Sequence, residues 1–240
     1  MKGVPDMKLL KPVMIFGDSI MKGVVLNREE ERYHVSHELG VEELADRFGL
    51  KVENRSRFGC TVDKGFMLLR RALEKEPDCA AVVLEYGGND CDFDWAQVAQ
   101  APEAEHEPHS PLERFTATYE SMIAYLRERN VLPILTTLPP LCAERYLNWV
   151  CRAGLDKAKI LSWLGDVNAI YRYHERYSRR IEQLAEKYGL PLVDLRAAFL
   201  EQRQMEAYFC EDGIHPNEKG QRLIHDAFSR YMAERGLSPA

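Results

Sequence analysis

The chain contains no uninterrupted apolar run near the ~18 residues that a membrane-spanning helix needs, which argues against insertion into a bilayer. Its first residues, Met1 to Lys11, lack the apolar stretch of a secretory signal. A clustered basic face is also missing. The 32 Lys and Arg are scattered and outnumbered by 38 Asp and Glu, giving a net charge of −6, so nucleic acid is not an expected partner. The six cysteines (60, 79, 91, 142, 151 and 210) include no Cys-x-x-Cys pair, which excludes a zinc cluster or a disulfide framework as the basis of the fold. Reduced thiols in a cytoplasm are the expectation. There is no internal repeat, low-complexity tract or interdomain linker, so residues 1–240 read as a single domain.

What is present is material for a core: 45% of the residues are hydrophobic and 10% aromatic. Apolar runs alternate with amphipathic stretches, the pattern of repeated βα units around a parallel sheet. Strands are predicted at Pro12–Phe16, Lys51–Asn54, Ala80–Tyr86, Leu132–Leu138 and Leu190–Leu195. Ala80–Tyr86 is the clearest, a near-continuous apolar run suited to a central strand. Helices are predicted at Ser36–Phe48, Thr61–Glu76 (capped by Thr61 or Asp63), Pro111–Arg129, Gly165–Tyr188 and Pro216–Arg235, the last with proline at its start. Two stretches exceed a minimal βα repeat. Residues 91–110 are polar and acidic and read as a loop, and residues 139–164 carry Tyr146, Trp149 and Trp163. Both leave carboxyl ends of strands, where open α/β sheets place their ligands.

Four short motifs fall at strand ends. Gly17-Asp18-Ser19 follows the first strand, at its predicted junction with a helix, where backbone N–H groups favour developing negative charge. Alone, it reads more readily as a turn with an N-capping serine than as a nucleophile. Asn54 to Gly59 leaves the second strand, and Gly59 can present a bare backbone N–H. Gly87-Gly88-Asn89-Asp90 ends the third strand, and the Asn89 amide is a donor suited to an oxyanion. Asp212-Gly213-Ile214-His215 precedes the last helix. An acid and an imidazole three residues apart can face one space, the acid fixing the ring's tautomer and leaving the other nitrogen to take a proton. Together they supply nucleophile, base, orienting acid and oxyanion donors.

In these blocks the chain resembles the SGNH, or GDSL-type, hydrolases: Gly-Asp-Ser near the N-terminus, a glycine after the second strand, Gly-x-Asn-Asp, and Asp-x-x-His near the C-terminus. The match runs from Pro12 to Pro216, with Ile20 where the family name has Leu. The resemblance implies a three-layer α/β/α sandwich with a flavodoxin-like five-stranded parallel sheet. It implies Ser19 as nucleophile, His215 as general base and Asp212 as its partner. The oxyanion hole would comprise the Ser19 and Gly59 N–H groups and the Asn89 amide. Asp18 and Asp90 would brace their loops.

Other candidates weigh less. His225 has no acid placed as Asp212 is, His34 and His37 flank a helix start, and the spacing of His106 and His109 matches no zinc pattern. Cys60, next to Gly59, has no histidine motif of its own. Trp95, Tyr146, Trp149 and Trp163 either wall a ligand site or hold the insertions together. The expected activity is hydrolysis of a small or medium carboxylic ester, an acetylated carbohydrate among the options, with no cofactor or metal. An acyltransferase or thioesterase would use the same serine, and a non-catalytic binding module would not need the set. No motif sets an oligomeric state.

Overall fold

The computed structural model describes residues 11–27, 29–30, 32–36, 45 and 47–237. Among them are strands β1 (Val13–Gly17), β2 (Val24–Asn27), β3 (Arg32–Val35), β4 (Val52–Asn54), β5 (Ala81–Glu85), β6 (Leu132–Thr136) and β7 (Leu192–Val193). The helices are α1 (Val62–Lys75), α2 (Trp95–Gln100), α3 (Leu112–Arg127), α4 (Ala143–Cys151), α5 (Lys157–Leu164), α6 (Asn168–Tyr188), α7 (Leu195–Leu200) and α8 (Glu218–Ala233), with a 3-10 turn at Met205–Tyr208. Five strands form one parallel sheet in the order β4-β1-β5-β6-β7. That is the flavodoxin-like order, and the sheet is covered by helices on both faces.

The layers follow from the two-residue period of a strand. Met14, Phe16, Val82, Leu84 and Leu135 point to one face and pack with Leu69 of α1, Tyr119 and Met122 of α3, and Ile181 and Leu184 of α6. The alternate residues Ile15, Ala81, Val83 and Ile134 point to the other, against Leu195 and Phe199 of α7 and Ile224 and Phe228 of α8. Helix α3 can serve the first face because Phe115, Tyr119, Met122, Ile123 and Leu126 recur at helical spacing, and all are buried. Each such side chain contributes about 1.5–3 kcal/mol on full burial. Helix α6 ends where Gly189 takes a left-handed conformation (φ 58°), the usual chemistry of a helix C-terminus.

Several expectations shift. The predicted Ser36–Phe48 helix falls largely outside the described residues, as does His37. Ser19 is not followed by a helix: one hydrogen-bonded turn leads to Val24, whose N–H donates to Ser19 O at 3.0 Å, and the chain enters an antiparallel β2–β3 hairpin. His34 lies in that hairpin. Helix α1 has Thr61 at its N-cap position without a side-chain bond. The Asp90 carboxylate instead accepts the Val62 N–H at 3.0 Å, and Asp63 accepts from Thr118. Pro216 precedes the last helix rather than starting it, because Asn217 caps α8 by accepting from Lys219 and Gly220 N–H. Residues 91–110 are not wholly loop, since Asp94 caps α2. Residues 139–164 hold α4 and α5, and α2, α4, α5 and the start of α6 close a third apolar cluster around Phe93, Val98, Leu147 and Ile160.

Candidate active site

Strand β1 ends at Gly17, where a Cβ would lie 3.0 Å from both Glu85 Oε2 and Met21 Cβ, so any larger residue would crowd these neighbours. The next residue, Asp18, accepts the Ile20 N–H on Oδ1 at 2.8 Å and the Asn89 amide on Oδ2 at 2.8 Å, which fixes the turn carrying Ser19. At the far end of the sequence, Asp212 Oδ1 accepts two backbone N–H groups, from Ile214 and His215, each at 3.0 Å. This local turn aims the His215 ring back at its own carboxylate, with Nδ1 to Oδ2 at 2.7 Å. His215 Nε2 then lies 2.9 Å from Ser19 Oγ. A carboxylate only accepts, so Nδ1 carries the hydrogen and the Nε2 lone pair faces the serine hydroxyl.

Ser19, Asp212 and His215 are all buried. Burial pushes the Asp212 carboxyl up, but the His215 hydrogen bond and charge and the His215 and Ile214 N–H groups outweigh it, so Asp212 stays below the usual carboxylate range. Gly59 has φ 65°, a left-handed conformation natural to glycine. Neither its N–H nor that of Ser19 has an acceptor among the described residues. Asn89 donates to Asp18 Oδ2 and, at 3.4 Å, to Cys60 O.

Beneath this turn lies Glu85, fully buried, whose Oε2 accepts the Asp18 N–H at 3.3 Å. Burial first and the Asp18 charge second raise it well above the ordinary carboxyl range, so it holds its proton. Burial pushes the Cys60 thiol up to about 11, with the Asp18 and Asp90 charges adding to it, and leaves little thiolate there.

Two contacts have no counterpart in the sequence motifs. Tyr33, from β3, donates its hydroxyl to Asp212 Oδ2 at 3.0 Å, and its ring lies 4.9 Å from that of His215. Phe58, 55% exposed, stacks on the imidazole at 5.8 Å and 14° and lies 5.4 Å from the Tyr33 ring, so the three rings form one cluster. The period-two alternation of Arg32-Tyr33-His34-Val35 is the signal that could have revealed β3.

A cavity of about 290 Å³ opens beside Ser19, His215 and Asn89. Trp95 and Tyr146 both line it and belong to the third apolar cluster, and Tyr146 and Trp95 N–H donate to Asp92 at 2.6 and 2.9 Å. Trp149 lines the cavity and meets Tyr33 edge-on, whereas Trp163 packs within the cluster and edge-on to His106. His174 also lines the cavity and accepts from Arg196 at 3.4 Å; burial and then the Arg196 charge push it down to about 3. His106 and His109 bond to Ala101 O and Asn89 O. Among the described residues no cluster of three His, Cys, Asp or Glu is placed to hold a metal, and no helix is long and apolar enough to cross a membrane.

The family model for the GDSL-like lipase/acylhydrolase family matches residues 15–223. An isoamyl acetate-hydrolyzing esterase 1 homolog from Bos taurus is 26% identical over 220 residues, spanning 88% of this chain and 77% of the relative. Among solved structures, a lipase/acylhydrolase from Enterococcus faecalis superposes with a TM-score of 0.65 at 20% identity, covering 96% of this chain and 99% of that one. A catalytic mutant of an acetylxylan esterase from Geobacillus stearothermophilus gives 0.64 at 18% identity, covering 92% and 94%. The structural likenesses establish a shared fold. With the family match reaching from β1 into α8, the chain belongs to the GDSL-like lipase/acylhydrolase family and is a carboxylic ester hydrolase.

Proposed function

We propose that the protein hydrolyses esters of short acyl groups, acetate foremost, through an acyl-enzyme on Ser19. The observation that carries this reading is the unbroken hydrogen-bonded series Ser19 Oγ–His215 Nε2, His215 Nδ1–Asp212 Oδ2, at 2.9 and 2.7 Å. His215 takes the Ser19 proton as Oγ attacks the ester carbonyl. The tetrahedral oxyanion is received by the unoccupied N–H groups of Ser19 and Gly59 and by the Asn89 amide, which Asp18 holds in place and whose second N–H exchanges its long 3.4 Å contact with Cys60 O for the oxyanion. Imidazolium, stabilised by the Asp212 carboxylate, then protonates the leaving alcohol. Water attacks the acyl-enzyme with His215 again as base.

The acetate preference rests on the small cavity and on the relatives named for hydrolysis of isoamyl acetate. In this reading residues 1–240 act as one domain, with segments 91–110 and 139–164 contributing the cavity wall around Trp95, Tyr146 and Trp149. Six unpaired cysteines fit work in a reducing cytoplasm.

The test compares wild type with Ser19→Ala on p-nitrophenyl esters of increasing acyl length and on acetylated sugars, alongside labelling by a fluorophosphonate. Wild type should label and should favour acetyl over long acyl groups. Ser19→Ala should do neither while keeping its melting temperature. Turnover retained in Ser19→Ala overturns the assignment.

A further inference from the structure

A second cleft, of about 620 Å³, lies between the chain leaving β4 and one face of α1. Leu68, Arg71, Ala72 and Lys75, three, four and seven residues apart, form the helical side. Every ionisable residue lining the cleft is a cation, in a chain whose net charge is −6. Arg55 is already engaged, by Glu53 at 2.7 Å and Glu76 at 2.8 Å. Lys22, Arg57, Arg71 and Lys75 have no side-chain ion pair or hydrogen bond among the described residues. Like charges gathered without a counter-ion repel one another, and an anion among them would relieve that repulsion.

Ser56 provides an independent sign. It lies in the same wall, is only 4% exposed, and its Oγ has no hydrogen-bond partner. A buried hydroxyl without a partner is disfavoured and calls for an explanation. The cleft also adjoins the catalytic cavity. Phe58 lines both, and the Arg57 N–H donates to Gly17 O at 3.0 Å, tying the basic wall to the strand that delivers Ser19.

We propose that this cleft binds a phosphate group, held by the unpaired cations and by the Ser56 hydroxyl once it turns out of the wall that shields it, and that the phosphate is carried by the ester substrate whose acyl end reaches Ser19 past Phe58. Four free cations exceed what a single carboxylate neutralises, and guanidinium forks match phosphate oxygens in geometry. The second half of the proposal rests on the esterase reading above; the first does not.

Inorganic phosphate, titrated at low ionic strength and followed by amide NMR shifts, tests the site without reference to turnover. Saturable shifts are expected at residues 55–58. Arg71→Gln/Lys75→Gln should weaken binding at least about tenfold, as expected for losing two charge-assisted contacts. Ser56→Ala should weaken it several-fold without lowering the melting temperature of the phosphate-free protein, because the hydroxyl it removes has no partner there. Absence of saturable shifts, or binding that neither variant weakens, overturns the site. Kinetics on 2-hydroxyethyl acetate and on its phosphorylated counterpart then decide where the phosphate comes from. Arg71→Gln/Lys75→Gln should raise KM for the phosphorylated ester alone, and inorganic phosphate should compete with that ester alone. Equal effects on both esters overturn a substrate-borne phosphate and leave a site for the free ion. If wild type cleaves neither ester, the esterase reading fails while the NMR titration still decides the site.

Discussion

Asp212→Asn is the most discriminating perturbation of the proposed triad, because the surrounding hydrogen bonds dictate how the new amide must sit. Asp212 Oδ1 accepts the N–H groups of Ile214 and His215, both at 3.0 Å. An amide NH2 in that place would face two donors, so the asparagine oxygen must occupy it. The NH2 then replaces Oδ2, opposite His215 Nδ1 and the Tyr33 hydroxyl. Tyr33 can rotate its hydroxyl and accept, but the imidazole can only respond by moving its hydrogen to Nε2. That hydrogen points at Ser19 Oγ, 2.9 Å away, and the base is lost without any change in shape. An acid-to-amide change at this point of a serine triad lowers kcat by about 10⁴, or about 5.5 kcal/mol of barrier. The assay is kcat for p-nitrophenyl acetate together with the rate of fluorophosphonate labelling, with a thermal melt as control. Both rates should fall in parallel while the variant still melts cooperatively near the wild-type temperature. A loss of less than about tenfold in a folded variant would refute the role given to Asp212.

Other expectations read different parts of the structure. His174 is neutral in the folded state down to about pH 3, whereas an unfolded histidine protonates near 6.5. Its contribution to stability is therefore full above pH 6.5 and is lost as pH falls toward 3, by up to about 5 kcal/mol. His174→Gln, which keeps an acceptor for Arg196, should flatten unfolding free energy against pH in that window, and an unchanged slope would count against a neutral His174. Gly213 has φ 76°, and an added Cβ would meet Cys142 O at 2.7 Å and Tyr146 N at 2.9 Å, backbone atoms that cannot rotate aside. Gly213→Ala should cost about 2–4 kcal/mol in a denaturant melt and displace His215 enough to lower kcat on the order of 10²-fold. Gly59→Ala is the contrasting case. Its φ is 65° but nothing lies within 4 Å of the Cβ, so only the ~1–2 kcal/mol of left-handed strain is expected. Tyr33→Phe removes a donor from a buried carboxylate and should cost about 1 kcal/mol, because the half-buried site lets water replace the hydroxyl.

The parallel sheet and the four blocks were legible because each is written in local sequence. Ala80 to Tyr86 announces a central strand by composition alone, and Asp212 and His215 are close enough for one turn to pair them. What could not be read depends on residues distant in sequence meeting after folding. Thr61 has the chemistry of a helix cap, yet the bond to Val62 comes from Asp90, 28 residues on. The segment after Ser19 looks like a helix entry by analogy with other strand ends, but Val24 to Val35 turns back as a hairpin, stabilised by contacts made elsewhere. Leu26 N–H donates to Cys210 Sγ at 3.4 Å, and Tyr33 reaches Asp212 across 179 residues. The aromatic insertions posed a false choice for the same reason. Trp95 and Tyr146 bury one edge in the cluster that holds α2, α4, α5 and α6 together and turn the other toward the cavity, where Asp92 collects both their hydrogen bonds. In this small cavity, packing and recognition use the same side chains. Removing the Tyr146 hydrogen bond to Asp92 by Tyr146→Phe should therefore alter both the melting temperature and the choice of ester, whereas Trp163→Phe, which lies behind the wall, should alter only the first.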